Sequence, residues 1–481
     1  MQRSAAEVER AVGVPAELLL HDAATAAETT EALLAEGLTG DEAVQVALLN
    51  NSRVRAAMLS IGVSRADFAQ STLFSNPTLF LSLQFPDGGG NPNVEVSLAQ
   101  NIAELWLVPA RKEAAQRDLD RVVLEAARST AFVVLDVRQA YVRAVQAAAQ
   151  VELAADGVAI AAKLVEIAEL RQQAGSGSEV DLSLARATKL QVEADLRNAR
   201  LAAVEAKAEL SELMGLTEDP AKLVLIDALQ APAEWEIPAE RLQAIARAER
   251  LDLRIMEESV ASAEALAKLE RVRFLRSVDV GFAFELMERR SRGDRNWLAE
   301  TFYDSLQSGA LTPPNLMPRE PQSTDTIAGP TLSLELPLWD QNQAQIAKAD
   351  RLLEQARQRR DALLVAVAQG IHASLARVRM AMENATIYRS EFVPTAERNV
   401  TLAQEGYRVG RVDFLSLLEA QRAYLATRMS ELEALQAAAL AEIELERVTG
   451  RPADVLRNAV QSPDESPGET TLGPVTEERA P

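Results

Sequence analysis

The sequence predicts a mainly α-helical fold with a small β portion, built as a tandem repeat of helix, β-hairpin, long helix, turn and helix. Three observations predict it: a turn that occurs twice, helical runs with a 3.5-residue apolar seam, and four short alternating stretches. The first turn is Gln173-Ala-Gly-Ser-Gly-Ser-Glu-Val-Asp-Leu-Ser-Leu-Ala-Arg186 and the second Glu405-Gly-Tyr-Arg-Val-Gly-Arg-Val-Asp-Phe-Leu-Ser-Leu-Leu-Glu-Ala-Gln421. Gly175 pairs with Gly410, Ala185 with Ala420, Ala203 with Ala438, Glu209 with Glu444 and Gly215 with Gly450, all at one offset (410 − 175 = 235). The chain is therefore read as a duplication, each copy carrying a helical hairpin tipped by one of these turns.

In the 481 residues, 48% are hydrophobic but only 4% aromatic, a bias toward long helices with thin cores. The net charge of −21 argues against nucleic acid, because a phosphate-binding surface needs excess Lys and Arg. It suits a solvated surface or a pore that prefers cations. With no cysteine there is no disulfide framework, thiolate metal site or lipid-attachment Cys. No apolar run approaches the ~18 residues of a membrane-spanning helix, so any crossing is expected to use strands. No export signal is visible in residues 1–31, and the true start is expected upstream.

In chain order, residues 1–37 read as a partly ordered lead-in. A first repeat (38–215) opens with a helix at Thr39-Gly-Asp-Glu42 that runs to about Leu73. Leu79, Leu81, Leu83 and Phe85, then Val94, Val96 and Leu98, alternate with polar residues, giving strands over about 77–100. A run over 103–173 follows, about 105 Å long if helical, with the seam Val123, Ala127, Thr130, Val134, Val137, Tyr141, Ala144 and Ala148. The tip turn (174–180) and a return helix end at Gly215. A Pro-containing linker (216–241) joins the second repeat (242–450), with strands expected over 276–286 and 329–338 around an insertion, 287–328. Its long helix carries the seam Leu364, Ala368, Ile371, Leu375, Val378, Met382 and Ala385, and its tip turn spans 408–412. The tail, 451–481, is expected to be disordered.

The polar faces of the strands carry Glu95, Asp279, Glu285 and Glu335, candidates for a water-filled lumen; the other faces are Leu, Val and Phe. One reading is a half-solvated sheet packed on a helix. The other is a barrel assembled from several chains, apolar toward lipid. Trp106 and Trp339 follow each repeat's second strand, where a membrane–water interface or a core position suits them. Gly157 and Pro394 stand at nearly the same level of the long helices and are candidate bend points.

The duplication, the element order, Tyr407-Arg-Val-Gly410 followed by Asp413 and Leu418-Glu-Ala-Gln421, together with Ala47-Leu-Leu-Asn-Asn-Ser-Arg-Val54 and Leu445-Glu-Arg-Val-Thr-Gly450, resemble the TolC-like outer-membrane efflux proteins. The N-terminal region looks most like the heavy-metal and cation branch. The resemblance covers about 38–450. It implies a homotrimer with a 12-stranded β-barrel in outer-membrane lipid and a 12-helix periplasmic α-barrel, and no catalytic site or cofactor. It also implies two partners, a periplasmic adaptor and an inner-membrane pump of proton-driven (RND) or ABC type. By this likeness Gly175 and Gly410 mark the periplasmic tip, where the pore closes and the adaptor docks. Asp181 falls on an acidic gate position, with helix capping as its other reading. Tyr407 matches a gate tyrosine, with core packing as the alternative. Ser416 and Glu419 fall on positions often acidic in the family, and Arg408 and Arg411 are expected to pair with the tip carboxylates. A soluble coiled-coil scaffold and a pump-independent porin are the competing readings. His21 and His372 lie far apart in sequence, and no enzyme motif is found.

Overall fold

The computed structural model describes residues 2–13, 23–85, 91–175, 177–230, 235, 237–289, 297–311, 313 and 323–461. His21, Ser176, the Gly88–Gly90 turn and the tail beyond 461 lie outside the described residues. In chain order the elements begin with α1 (Gln2–Val12), α2 (Ala23–Glu36), α3 (Gly40–Asn50), α4 (Ser52–Ser71), β1 (Thr78–Gln84), β2 (Asn93–Asn101), α5 (Glu104–Gln173) and α6 (Glu179–Met214). They continue with α7 (Ala239–Glu249), α8 (Leu251–Val272), β3 (Val278–Arg289), α9 (Trp297–Ser308), β4 (Ser323–Leu334), α10 (Gln343–Ile387), a π-helical turn (Tyr388–Phe392), α11 (Val393–Arg408), α12 (Phe414–Thr449) and α13 (Ala453–Gln461).

The chain divides into two compact units: residues 1–65, 119–259 and 356–481 form one, and 66–118 with 260–355 the other. In the first, α6 and α12 are both 36 residues long, capped by Ser178 and Asp413 and closed by Gly215 and Gly450. Those glycines have φ of +72° and +77°, and the tip glycines Gly175 and Gly410 +72° and +74°. The offset read in the sequence thus reappears as matched left-handed backbone. The seam residues of α5 are buried from Val123 to Ala144, with Val44, Leu210 and Met214 against them. The seam of α10 packs likewise with Leu242, Leu435, Ala438 and Leu445.

Several boundaries differ from the sequence reading. The expected opening helices are each two helices, broken at Asn51 and Arg250, whose ψ angles of 121° and 123° are extended. Asn51 donates from Nδ2 to the Leu213 carbonyl at 2.6 Å and accepts from the Arg53 N–H, a tertiary anchor that propensity does not reveal. The lead-in carries α1, whose Glu7 receives both guanidinium nitrogens of Arg254 and whose Val8 is buried. The tail begins with α13 instead of disorder, because Leu456 enters the core and the Ala453 N–H reaches Glu446 Oε1 at 2.7 Å. Burial raises the Glu446 carboxyl above the usual range despite Arg138 beside it. One 18-residue window inside residues 343–408 reaches a mean hydropathy of 1.2, more than the sequence reading allowed. The run containing it buries Val367, Ile371, Leu375 and Val378.

The second unit is an antiparallel sheet in the order β1-β2-β3-β4 with the helices that lead into it. β4 starts at Ser323 and stops at Leu334, earlier than expected: Pro337 has no N–H for the ladder, and Leu338 turns back to the Leu336 carbonyl. β3 runs on to Arg289, so both ends of the expected insertion are strand, with α9 between them. Buried Asn342, at φ +64°, starts α10; its Nδ2 donates to the Glu270 carbonyl and carboxylate, both at 2.7 Å, and its Oδ1 accepts from Arg276.

Each repeat closes where its terminal glycine meets the break in its opening helix. A Cβ on Gly215 would stand 2.9 Å from the Asn50 carbonyl oxygen, and one on Gly450 3.2 Å from Arg250 Cα. A Cβ on Gly175 would meet nothing. Gly175→Ala is expected to cost only the left-handed penalty of about 1–2 kcal/mol, whereas Gly215→Ala adds a backbone collision. Thermal unfolding of the purified variants checks this, and equal shifts in midpoint would contradict it.

Candidate functional site

Cross-strand register decides which side chains share a face of the sheet. Leu79, Leu98, Phe282 and Pro330 form one row, and Leu81, Val96, Phe284 and Ala328 the next. Leu83, Val94, Leu286 and Thr326 form a third. This apolar face is open: Leu79 is 68% exposed, Phe282 55% and Leu332 71%. The opposite face holds Ser82, Glu95, Glu285 and Ile327 in one row and Asn101, Asp279 and Ser333 in another. Glu95 stands directly opposite Glu285, a like-charge pair that disfavours a dry environment and suits water. Phe80 also lies on this face, an apolar residue the alternation did not include. Asp279 accepts from the Ser277 hydroxyl. Glu335 lies one residue past β4, its N–H reaching the Ser277 carbonyl at 3.4 Å, so it is outside the ladder with the other three acids.

Trp106 is half-buried against Ala103, Leu107 and Val278 at the start of α5, while Trp339 is 87% exposed between β4 and α10. The two tryptophans, equivalent in the repeat, therefore have different surroundings.

The tip lies in the other unit. There α5 and α6 meet α11 and α12 in a cluster of Leu164, Ala168, Leu182, Ala185, Tyr407, Phe414, Leu417 and Leu418. Tyr407 is buried edge-on to Phe414, with ring centroids 5.7 Å apart. The chain turns through Gly410 at φ +74°, and Val412 folds back over Gly406, where a Cβ would collide with the valine side chain. The Gly406 carbonyl accepts from the N–H groups of Arg411 at 2.8 Å and Val412 at 3.2 Å. Asp413 caps α12 by accepting from the Ser416 N–H at 3.0 Å, and hydrogen bonding from Ser416 holds its carboxyl below the usual range. Asp181 lies in the first turn of α6, but the cap is Ser178, which accepts from the Val180 N–H.

Arg408 and Arg411 are exposed and form no ion pair among the described residues; Glu419 faces Arg422 at 3.4 Å. The basic group that engages the tip is Arg171, which the sequence reading did not select. Its guanidinium lies 4.4 Å from the centre of the Tyr407 ring and donates to the Tyr407 carbonyl at 3.2 Å. The only sequence signal was a basic residue in the last turn of α5, a common helix C-terminal feature.

The two bend candidates differ in geometry. Pro394 follows the π-helical turn, which separates α10 from α11. Gly157 sits in uninterrupted α5, where a Cβ would be 3.3 Å from Leu425 Cδ1; it permits close approach of α12.

A cation–π contact contributes about 0.5–2 kcal/mol. Arg171→Ala is therefore expected to speed amide hydrogen exchange over Tyr407–Phe414 by about 2- to 30-fold. Unchanged exchange would show that this contact does not hold the tip.

A model of the family described as "Outer membrane efflux protein" matches residues 242–451. The Cobalt-zinc-cadmium resistance protein CzcC of Cupriavidus metallidurans is 23% identical over 424 residues, covering 86% of this chain and 90% of that one. Among solved structures, CusC aligns with a TM-score of 0.66 at 17% identity over 85% of this chain and 91% of its own. The Campylobacter jejuni CmeC outer membrane channel aligns with a TM-score of 0.66 at 16% identity over 88% of each. The fold likeness extends across both repeats, beyond the segment the family model matches. Residues 242–451 thus match the outer membrane efflux protein family, and the chain as a whole shares the fold of these outer-membrane channels.

Proposed function

We propose that three copies of this outer-membrane efflux channel join the open edges of their sheets into one 12-stranded barrel, continued by a periplasmic barrel of 12 helices. The observation that carries this reading is the four-stranded sheet with one uncovered apolar face and two unpaired edges, β1 and β4. An edge row of free N–H and C=O groups cannot face hydrocarbon, and closure satisfies it. Leu79, Leu81, Phe282 and Phe284 then meet lipid, and Glu95, Glu285 and Asp279 line water. The tip, with Gly175, Asp181, Tyr407, Arg408, Gly410, Arg411, Asp413, Ser416 and Glu419, is where the pore narrows and a periplasmic adaptor docks. Arg171 is its internal clasp.

An inner-membrane pump, of RND or ABC type, would deliver the cargo through that adaptor. Likeness to CzcC makes divalent cobalt, zinc or cadmium the first cargo to test, and an acidic lumen suits cations. A soluble scaffold has no use for an uncovered apolar sheet face, and a pump-independent porin none for a clasped tip.

Planar-bilayer recording tests the channel. Purified protein is expected to give discrete current steps with preference for K⁺ over Cl⁻, and Glu95→Gln/Glu285→Gln to reduce that preference. Protein that never produces steps, or a preference indifferent to both carboxylates, would contradict the reading.

A further inference from the structure

Where the sheet gives way to helices, a cavity of about 500 Å³ opens between the start of α5, the end of α8 and the start of α10. It lies wholly within the second unit. Three guanidinium groups line it: Arg111 on α5, Arg273 just past α8 and Arg276 just before β3. Against them stand two carboxylates, Glu104 and Glu270. Arg111 donates to Glu104, and Arg273 to Glu270 at 2.8 Å. Arg276 donates to Asn342 Oδ1 at 2.9 Å and to Asp340, which is outside the cavity wall, at 3.1 Å. The wall therefore keeps an excess of positive charge.

The arginines also keep donors to spare. A guanidinium has five N–H groups in a planar fork, and each of these spends only one or two on the partners just named. Arg111 Nε is buried and has no acceptor among the described residues, while Glu104, 8% exposed, holds the other side of the same fork. A buried donor left unpaired is costly, and it points to an acceptor from outside the chain. Guanidinium forks braced by carboxylates match the oxygens of a phosphate group.

The surroundings indicate what carries that phosphate. Leu107 lines the cavity and also packs with Trp106 and Val278. Val278 alternates with Val280 and Phe282 onto the apolar face of the sheet. Trp339, 87% exposed, immediately precedes the Asp340 that Arg276 engages. Apolar face, tryptophans and arginines succeed one another here as do the acyl chains, interface and headgroup of a phospholipid.

We infer that this cavity binds phosphate, seating the headgroup of a lipid whose chains lie on the Val278–Phe282 face. The lipid source rests on the barrel proposed above; the phosphate chemistry does not, and free phosphate offers the same oxygens.

Native mass spectrometry of the full chain in neutral detergent reads what binds. The probes are dioctanoyl phosphatidylglycerol, uncharged dioctanoylglycerol and inorganic phosphate. Wild type is expected to retain phosphatidylglycerol over dioctanoylglycerol, and Arg273→Gln/Arg276→Gln to bind it about 10-fold or more weakly. Arg111→Lys, which keeps the charge and removes Nε, is expected to weaken retention too. Arg65→Gln/Arg359→Gln, at exposed positions outside the cavity, is expected to change nothing. Retention of inorganic phosphate that the Gln pair abolishes, with no preference for the lipid, assigns the site to the free anion. Retention of neither phosphate probe by wild type, or retention indifferent to the cavity substitutions, overturns the site. Current steps in bilayers without phosphate binding leave the barrel and remove the site, and phosphate binding without current steps does the reverse.

Discussion

Everything in this protein follows from a sheet too small to protect itself. Four strands in simple antiparallel order satisfy one another's backbone groups inside the sheet, but leave β1 and β4 with a free edge each. The same register sorts side chains so that leucine, valine and phenylalanine fall on one face and carboxylates on the other. Burying a Leu or Phe side chain contributes about 1.5–3 kcal/mol, and here a whole face forgoes that gain in the isolated chain. Such a face is stable against hydrocarbon, and such edges are stable when paired. Membrane insertion and closure with other copies answer both demands at once.

The helical unit meets a different constraint, that of long helices with little volume between them. Its cores are built from alanine, valine and leucine at seam positions, with Tyr141 as an exception that has a specific task. Its hydroxyl donates to the Leu38 carbonyl at 2.8 Å, tying α5 to the strand-like crossing of Leu38 and Leu225. Burial and nearby Asp227 push that phenol's ionisation up, so it remains a donor. At the tip the packing turns aromatic and cationic, concentrating specific contacts on one small cluster. A π-helical turn before Pro394 interrupts the second long helix and has no counterpart in α5, so the duplicated halves are not mechanically identical.

Much of this was legible in the sequence because it rests on period and repetition. Period 2 revealed the strands and put Glu95, Asp279 and Glu285 on the face opposite the leucines, and the offset between Gly175 and Gly410 revealed two matched hairpins. What escaped detection depends on partners remote in sequence. The break at Asn51 depends on a carbonyl 162 residues away, and Arg171 reaches a tyrosine 236 residues away. The order of the tail depends on Leu456 finding the second repeat's core. Arg408 and Arg411, expected from the resemblance to pair with the tip carboxylates, are exposed and form no ion pair among the described residues of the single chain. The end of β4 was misplaced because alternation continued through Leu336 and Leu338, while Pro337 ended the hydrogen bonding.

The alternation of the sheet is the claim on which the rest stands, and adjacent residues of β2 test it most directly. Val96→Cys and Ser97→Cys can each carry a fluorophore in protein reconstituted into liposomes. The label at 96 is expected to be quenched by a lipid-soluble agent and shielded from an aqueous one, and the label at 97 to behave in the opposite way. Equal water access at both positions, or the reversed pattern, would contradict the account.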